Sequence, residues 1–381
     1  MKLHLEALGR SQRAVLRRVA PLALLASGSP AAAQWPDVLS PSYEAAVLRY
    51  GSGDRDRAVA DITGWPEGRL RREVAALGAL REKARKALDP AALVQWHRVP
   101  VRAALMLHTD CALRARRVGV SPGLHEGVAA EIARMLRDDG AHKAFAQRWY
   151  EAMAGLAVSD SQWADGLEWA ERSLRDFPDS PEALLLLASI AETSAALEAL
   201  DISGADSANP GTRAARAARA RARDVHERLE RAHRALRSSV AADPSLVEAR
   251  LRLGRVAWRL GAAAEARSVL EEVLARDHSP REAFLAHLFL GRVHEDAGRL
   301  DEAVRSYAAA LALESSAQSA RLALSHVRLR SADAARARAE AERALRPAGA
   351  RLRPDPFWLY PWGPSVAVEE RLESLRREAS P

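Results

Sequence analysis

Residues 119–123 read GVSPG, which matches G-x-S-x-G, the spacing that presents a nucleophilic serine in many hydrolases. That chemistry needs a strand feeding a strained turn, so that the serine projects over a sheet. Here an Arg-rich helical run, "LRARR" (113–117), precedes it. Ser121 and Pro122 instead suit the N-cap and first position of the next helix. The eleven histidines form no H-E-x-x-H pair, and His226/His233 and His287/His294 are each seven residues apart. Seven residues is about two helical turns, too far for one metal ion. No phosphate-cradling or dinucleotide-binding glycine pattern is present. No catalytic residue, metal site or cofactor is therefore expected.

Three other groups of side chains could act by binding. Arg213, Arg216, Arg219 and Arg223 fall on one helical stripe, suited to phosphate or an acidic partner. Asp224, Glu227 and Glu230 follow closely and no aromatic rings accompany them for base stacking, so a solvated face is expected and no nucleic acid. Phe357, Trp358, Tyr360 and Trp362 crowd into six residues. They read as part of a cap over a hydrophobic face, or as an exposed platform for a partner or a sugar. Cys111, the single cysteine, rules out an internal disulfide and lies at helical spacing from Leu107, as a small buried hydrophobe does.

The 381 residues are rich in Ala, Leu, Arg and Glu, which lose little entropy in helices. The net charge is +7, and only four of the 57 basic residues are lysine, Lys2, Lys83, Lys86 and Lys143. Residues 1–33 read as a cleavable export signal, with basic Arg10, Arg13, Arg17 and Arg18, an apolar run at 19–26, and an A-x-A site ending at Ala33. Its removal takes five positive charges and one negative, leaving 7 − 4 = +3. The apolar run is too short to span a bilayer. A periplasmic or secreted location follows, with a cytoplasmic one as the alternative.

Helical periodicity runs through the chain and no sustained alternation interrupts it, so the fold class is all-α. Breaks such as "GSGDRD" (51–56), "DFPDSP" (176–181) and "RDHSP" (276–280) separate the helices. Residues 34–140 form a less regular helical region, in which 43–66 reads as a hairpin with small residues at Ala46 and Ala58. A more regular pattern occupies 147–351. After Leu290-Gly291, small or aromatic residues Ala303, Tyr307 and Ala310 follow the glycine at 12, 16 and 19 residues. After Leu253-Gly254 the same offsets hold Ala266, Leu270 and Val273, and after Leu324-Ser325 they hold Ala337, Ala341 and Ala344. Second helices also end in Pro178 and Pro244.

This register resembles the tetratricopeptide repeat family. The likeness covers about five units of 34 residues, with an insertion near 200–225; Arg250, His287 and Arg321 stand where the family has its first-helix tryptophan. The resemblance implies a right-handed α-solenoid, with residues 352–381 as aromatic segment and capping helix. Leu253, Gly254, Ala266, Leu270, Leu290, Gly291, Ala303, Tyr307 and Ala310 would pack the repeats. It further implies a groove lined by the first helix of each hairpin, which binds proteins or peptides. In that register Arg255, Arg292 and His326 point into the groove, and Arg259, Asp296 and Arg330 stand one turn further on. A largely cationic strip of this kind selects an acidic peptide or a free carboxylate, because arginine grips a carboxylate through two charge-assisted hydrogen bonds. The function expected is a non-enzymatic interaction scaffold. The alternatives are a cell-wall or carbohydrate binder using Trp358, Tyr360 and Trp362, or an enzyme in the N-terminal helices.

Overall fold

The structure, a computed structural model, describes residues 39–85, 100–140, 142–203, 213–345, 354–363 and 365–380. The expected export signal, and residues 204–212 of the expected insertion, lie outside the described residues. All regular structure among the described residues is helical. The chain divides into two compact units. Unit one comprises residues 1–143 and 374–381, and unit two comprises 144–373.

Unit one contains α1 (Pro41–Gly51), α2 (Arg55–Thr63), α3 (Glu67–Arg85), α4 (Val101–Arg117) and α5 (Gly123–Met135). Pro41 starts α1, and the Ser40 hydroxyl accepts from the Tyr43 N–H as its N-cap. α4 is buried along most of its length, including Leu105, Leu107, His108 and Cys111. Burial pushes the Cys111 thiol up to about 12, so it stays protonated. α5 begins at Gly123 and its N-cap is Pro122, without a side-chain cap. Ser121 therefore does not cap the helix, and no strand precedes it; a helix, α4, does.

Two histidines meet inside unit one. The Nδ1 atoms of His108 and His125 are 3.0 Å apart, and His108 Nε2 is 3.0 Å from the Tyr43 hydroxyl. One Nδ1 must donate to the other, so the two Nδ1 atoms cannot both carry a proton. Burial, then the neighbouring His125, lowers His108 to about 3; burial likewise lowers His125.

Unit two is a row of five helix hairpins among the described residues. They are α6 (Lys143–Ser159) with α7 (Trp163–Asp176), α8 (Pro181–Ser203) with α9 (Arg213–Ala242), and α10 (Val247–Arg259) with α11 (Ala263–Ala275). Then come α12 (Pro280–Asp296) with α13 (Leu300–Leu313), and α14 (Gln318–Arg330) with α15 (Ala334–Leu345). Each hairpin packs on the next. The short α16 (Pro356–Leu359) and α17 (Val368–Ala379) follow. Ser279 opens α12 with a full capping box, its hydroxyl accepting from Glu282 N–H while Glu282 returns a bond to Ser279 N–H.

Glycine at the first-helix crossing has a steric cause. A Cβ on Gly254 would lie 2.6 Å from Leu270 Cγ, and one on Gly291 would strike the Tyr307 ring. Ala266, Leu270, Ala303, Tyr307 and Ala310 are fully buried, and Leu253 and Leu290 nearly so. Each hairpin then turns through a left-handed residue seven places on: Gly261 after Gly254 and Gly298 after Gly291. The same offset places Ser161 after Ala154, Ala332 after Ser325 and, in unit one, Gly53 after Ala46, all with positive φ. The hairpin α8–α9 differs in length, its helices running 23 and 30 residues.

Two outcomes follow. A Cβ at Gly298 meets nothing within 4 Å, so Gly298→Ala costs only backbone strain, about 1 kcal/mol, whereas Ala332→Gly at φ +61° relieves it. Urea midpoints of the two variants should move in opposite directions. For the histidines, the folded values lie below the unfolded value of about 6.5, so the unfolded state binds more protons in acid. Their contribution is complete above that value and is lost as pH falls below it, for His108 down to about 3. Amide protection in α4, corrected for intrinsic exchange, should fall as pH drops from 6.5 to 4.5, with His108 alone contributing up to about 1.4 kcal/mol per pH unit.

Candidate functional site

The first helices of unit two share a face, and charged side chains cross it from hairpin to hairpin. Its centre is Glu192 in α8, wholly buried in an otherwise uncharged run, "LLLLASIAETSA" (184–195). Arg252 Nη1 donates to Glu192 Oε2 at 2.9 Å and Arg255 Nη1 to Oε1 at 2.5 Å, both from α10. Arg259, one turn beyond Arg255, donates to the Glu192 carbonyl oxygen at 3.1 Å. Arg252 also holds Glu248 at 2.9 Å, and Arg281 reaches the same carboxylate at 3.3 Å. Burial opposes the Glu248 charge, but those two guanidiniums outweigh it and hold the carboxyl below its ordinary value.

The arrangement recurs two hairpins later. Glu295 of α12 stands four residues after Gly291, as Glu192 stands four after Ala188. It is also fully buried. His326 Nδ1 lies 2.6 Å from Glu295 Oε1, and Arg330 donates at 3.2 Å to both Oε1 and the Glu295 carbonyl oxygen. Thus the residues at +1 and +5 of one first helix clamp the +4 carboxylate of an earlier one. Between the two clamps, position +4 of α10 is Trp258. The Arg292 guanidinium lies 5.7 Å from its ring, and its Nε1–H donates to Asp296 at 2.8 Å. Tyr307, from the second helix, donates its hydroxyl to Glu295 at 2.8 Å. Burial raises the Glu295 carboxyl, but the Tyr307 hydrogen bond and then Arg292, Arg330 and His326 prevail and lower it.

The expected cationic strip is therefore split. Arg255 is 9% exposed and Arg259 is turned onto the α8 backbone, so neither is displayed for a ligand. Both are held because a carboxylate cannot stay buried without a counter-charge. Arg292, His326 and Arg330 have side chains 41%, 55% and 42% exposed around Glu295. Asp296 is held by Trp258. The stripe Arg213, Arg216, Arg219 and Arg223 is exposed on α9, and neighbouring Arg228 pairs with Glu198 and Asp224.

The aromatic cluster sits elsewhere than expected. Tyr360 is fully buried on the first-helix face, not over the end of the array. Its hydroxyl lies 2.9 and 3.0 Å from the two Glu192 oxygens, and the Arg252 guanidinium stacks 4.3 Å from its ring. Burial, then the Glu192 charge, raises its pKa, so the phenol keeps its proton and donates. Phe289 of α12 meets Tyr360 edge-on at 5.3 Å. Tyr360 thus cannot join an exposed sugar platform; Trp358 and Trp362 remain 52% and 38% exposed.

Two family models, both described as tetratricopeptide repeat, match residues 226–288 and 264–320. Residues 226–320 are tetratricopeptide repeats. The repeats are those of a protein-interaction scaffold. No curated protein sequence matches the chain. Among solved structures, a crystal structure of MamA is 17% identical, with 51% of this chain and 92% of that one covered, at TM-score 0.36. Residues 41 to the end of MamA from Desulfovibrio magneticus RS-1 are 17% identical, with 53% and 97% covered, at TM-score 0.37. Likeness at this level assigns no role to this chain. Among the described residues no helix is long and apolar enough to cross a membrane, and no cluster of three metal-ligating side chains occurs.

Glu192, Glu295, Trp258 and the inward seat of Tyr360 were not singled out by sequence reasoning. A lone carboxylate inside the otherwise uncharged run at 184–195 was the visible signal for Glu192. The two halves of the strip predict opposite outcomes. Arg255→Ala leaves the buried Glu192 short of a counter-charge and should cost about 3–5 kcal/mol in thermal or urea unfolding. Arg292→Ala, at a half-exposed site, should stay within about 0.5 kcal/mol of wild type.

Proposed function

We propose that this repeat protein is an exported, non-enzymatic scaffold that captures an acidic segment of a partner protein at Arg292, His326 and Arg330. The observation that carries this reading is the surplus of cationic groups around one buried carboxylate. Glu295 neutralises one unit of charge, while two guanidiniums and an imidazole gather on it half-exposed. A peptide carboxylate approaching that side gains charge-assisted bonds without uncovering Glu295, whose inner side is held by the Tyr307 hydroxyl. Trp258 beside Arg292 adds an apolar surface for the peptide's non-polar atoms. Export is supported by the basic and apolar leader with its A-x-A site.

A fluorescent octapeptide ending in three glutamates, with a free C-terminus, tests the site. It should bind more weakly as salt rises. Arg292→Ala combined with Arg330→Ala should weaken it about tenfold at low salt while the thermal transition stays intact. Equal binding by the double variant, or equal binding of a lysine-for-glutamate peptide, refutes the assignment. Mass spectrometry of the native protein should find an N-terminus at Gln34; an intact Met1 chain refutes export.

A further inference from the structure

The chain lays its own residues 355–362 across the first-helix face. Asp355 accepts from the Ser319 N–H at 2.8 Å and from its hydroxyl at 2.9 Å, at the start of α14. Phe357 packs edge-on against Phe289 of α12 at 6.5 Å. Tyr360 reaches Glu192 of α8 between Arg252 and Arg255 of α10, and the Pro361 carbonyl accepts from Thr193 at 3.2 Å. Three anchors thus fall on successive hairpins, as an extended ligand's would. Only four residues, α16, are helical, and the intervening Trp358 faces solvent.

Comparison of the two clamps shows why a phenol is wanted here. Glu295 receives its phenol from Tyr307, inside the repeat and sixteen residues after Gly291. The corresponding residue of α9 is Leu236, which stands 34 residues before Leu270 and four after the buried Ala232. Leucine has no hydroxyl, so the Glu192 clamp takes its donor from outside the repeats, 168 residues away in sequence.

We propose that the Glu192–Arg252–Arg255–Phe289 surface is a second peptide-docking site, specific for a tyrosine-bearing segment, and that residues 355–362 are its built-in, displaceable occupant. The ligand class is a short peptide of a partner protein with an aspartate, an aromatic residue two positions on and a tyrosine five positions on. The partner enters by displacing the chain's own segment. The inference rests on the first-helix face being the partner surface, but its site does not overlap Arg292, His326 and Arg330. The glutamate peptide and the tyrosine peptide can therefore fail independently.

The probe is a labelled peptide of sequence PDPFWLYPWG, copied from residues 354–363. The host is the full chain carrying Asp355→Ala and Tyr360→Ala, which loosens the internal segment. The variant should bind the peptide at least about tenfold more tightly than wild type does. A peptide with phenylalanine for its tyrosine should lose most of that gain, because the bond to Glu192 is charge-assisted. Equal binding of both hosts, or of both peptides, overturns the proposal. Should the variant unfold, hydrogen exchange on the wild-type chain decides. Tyr360 and Gly363 N–H, bonded to Pro356 and Tyr360 carbonyls, should exchange at least about 100-fold faster than core amides of α12. Protection equal to that of α12 would make the segment a fixed part of the core and overturn the proposal. A wild-type dimer that the peptide dissolves would assign the site to a second copy of the chain, and overturn the partner assignment.

Discussion

Unit two depends on a carboxylate buried between first helices and answered by the +1 and +5 residues of a later one. A buried charge without a partner costs several kcal/mol, whereas an apolar mispairing costs far less. Alanine-rich faces slide easily, since one small side chain resembles the next. Glu192 and Glu295 remove that freedom. Arg255 with Arg259, and His326 with Arg330, meet a carboxylate and a backbone carbonyl at one register only. Small residues let the helices approach; the clamps say where they stop.

The repeat register was legible because its cause is steric and local. Glycine at 254 and 291 is dictated by Leu270 and Tyr307, sixteen residues away along the chain, and fixed offsets of that kind survive in sequence. The fate of the arginines was not legible. Arg255 and Arg292 occupy the same repeat position, yet one is buried and the other half-exposed. What separates them is the +4 residue of the preceding first helix, Glu192 in one case and Trp258 in the other. That pairing crosses a long hairpin in the first case, so spacing along the chain does not announce it. Tyr360 was misplaced for the same reason: its partner is set by the fold, from 168 residues away.

Unit one shows the converse. Its first hairpin keeps the repeat turn, with Gly53 left-handed after Ala46, but its core adds a neutral histidine pair and two buried tyrosines. Tyr50 donates to Asp110 at 2.6 Å, and Arg376 grips the same carboxylate at 2.7 Å. Here the sequence showed helices and little else, since chemistry-bearing residues 65 apart, as Tyr43 and His108 are, leave no periodic trace.

The cations of the clamps in unit two are guanidinium and imidazole, and none of the four lysines lies within residues 144–373. An arginine excess easily dismissed as a bias of codon usage thereby gains a physical meaning. Primary amines can be acylated, glycated or joined to carbonyl compounds, and each reaction erases their charge. Guanidinium is far less reactive and stays ionised at any pH in which a protein survives. The repeat array is consequently inert to lysine acetylation, and a protein placed outside the controlled chemistry of a cytoplasm would keep its binding face charged.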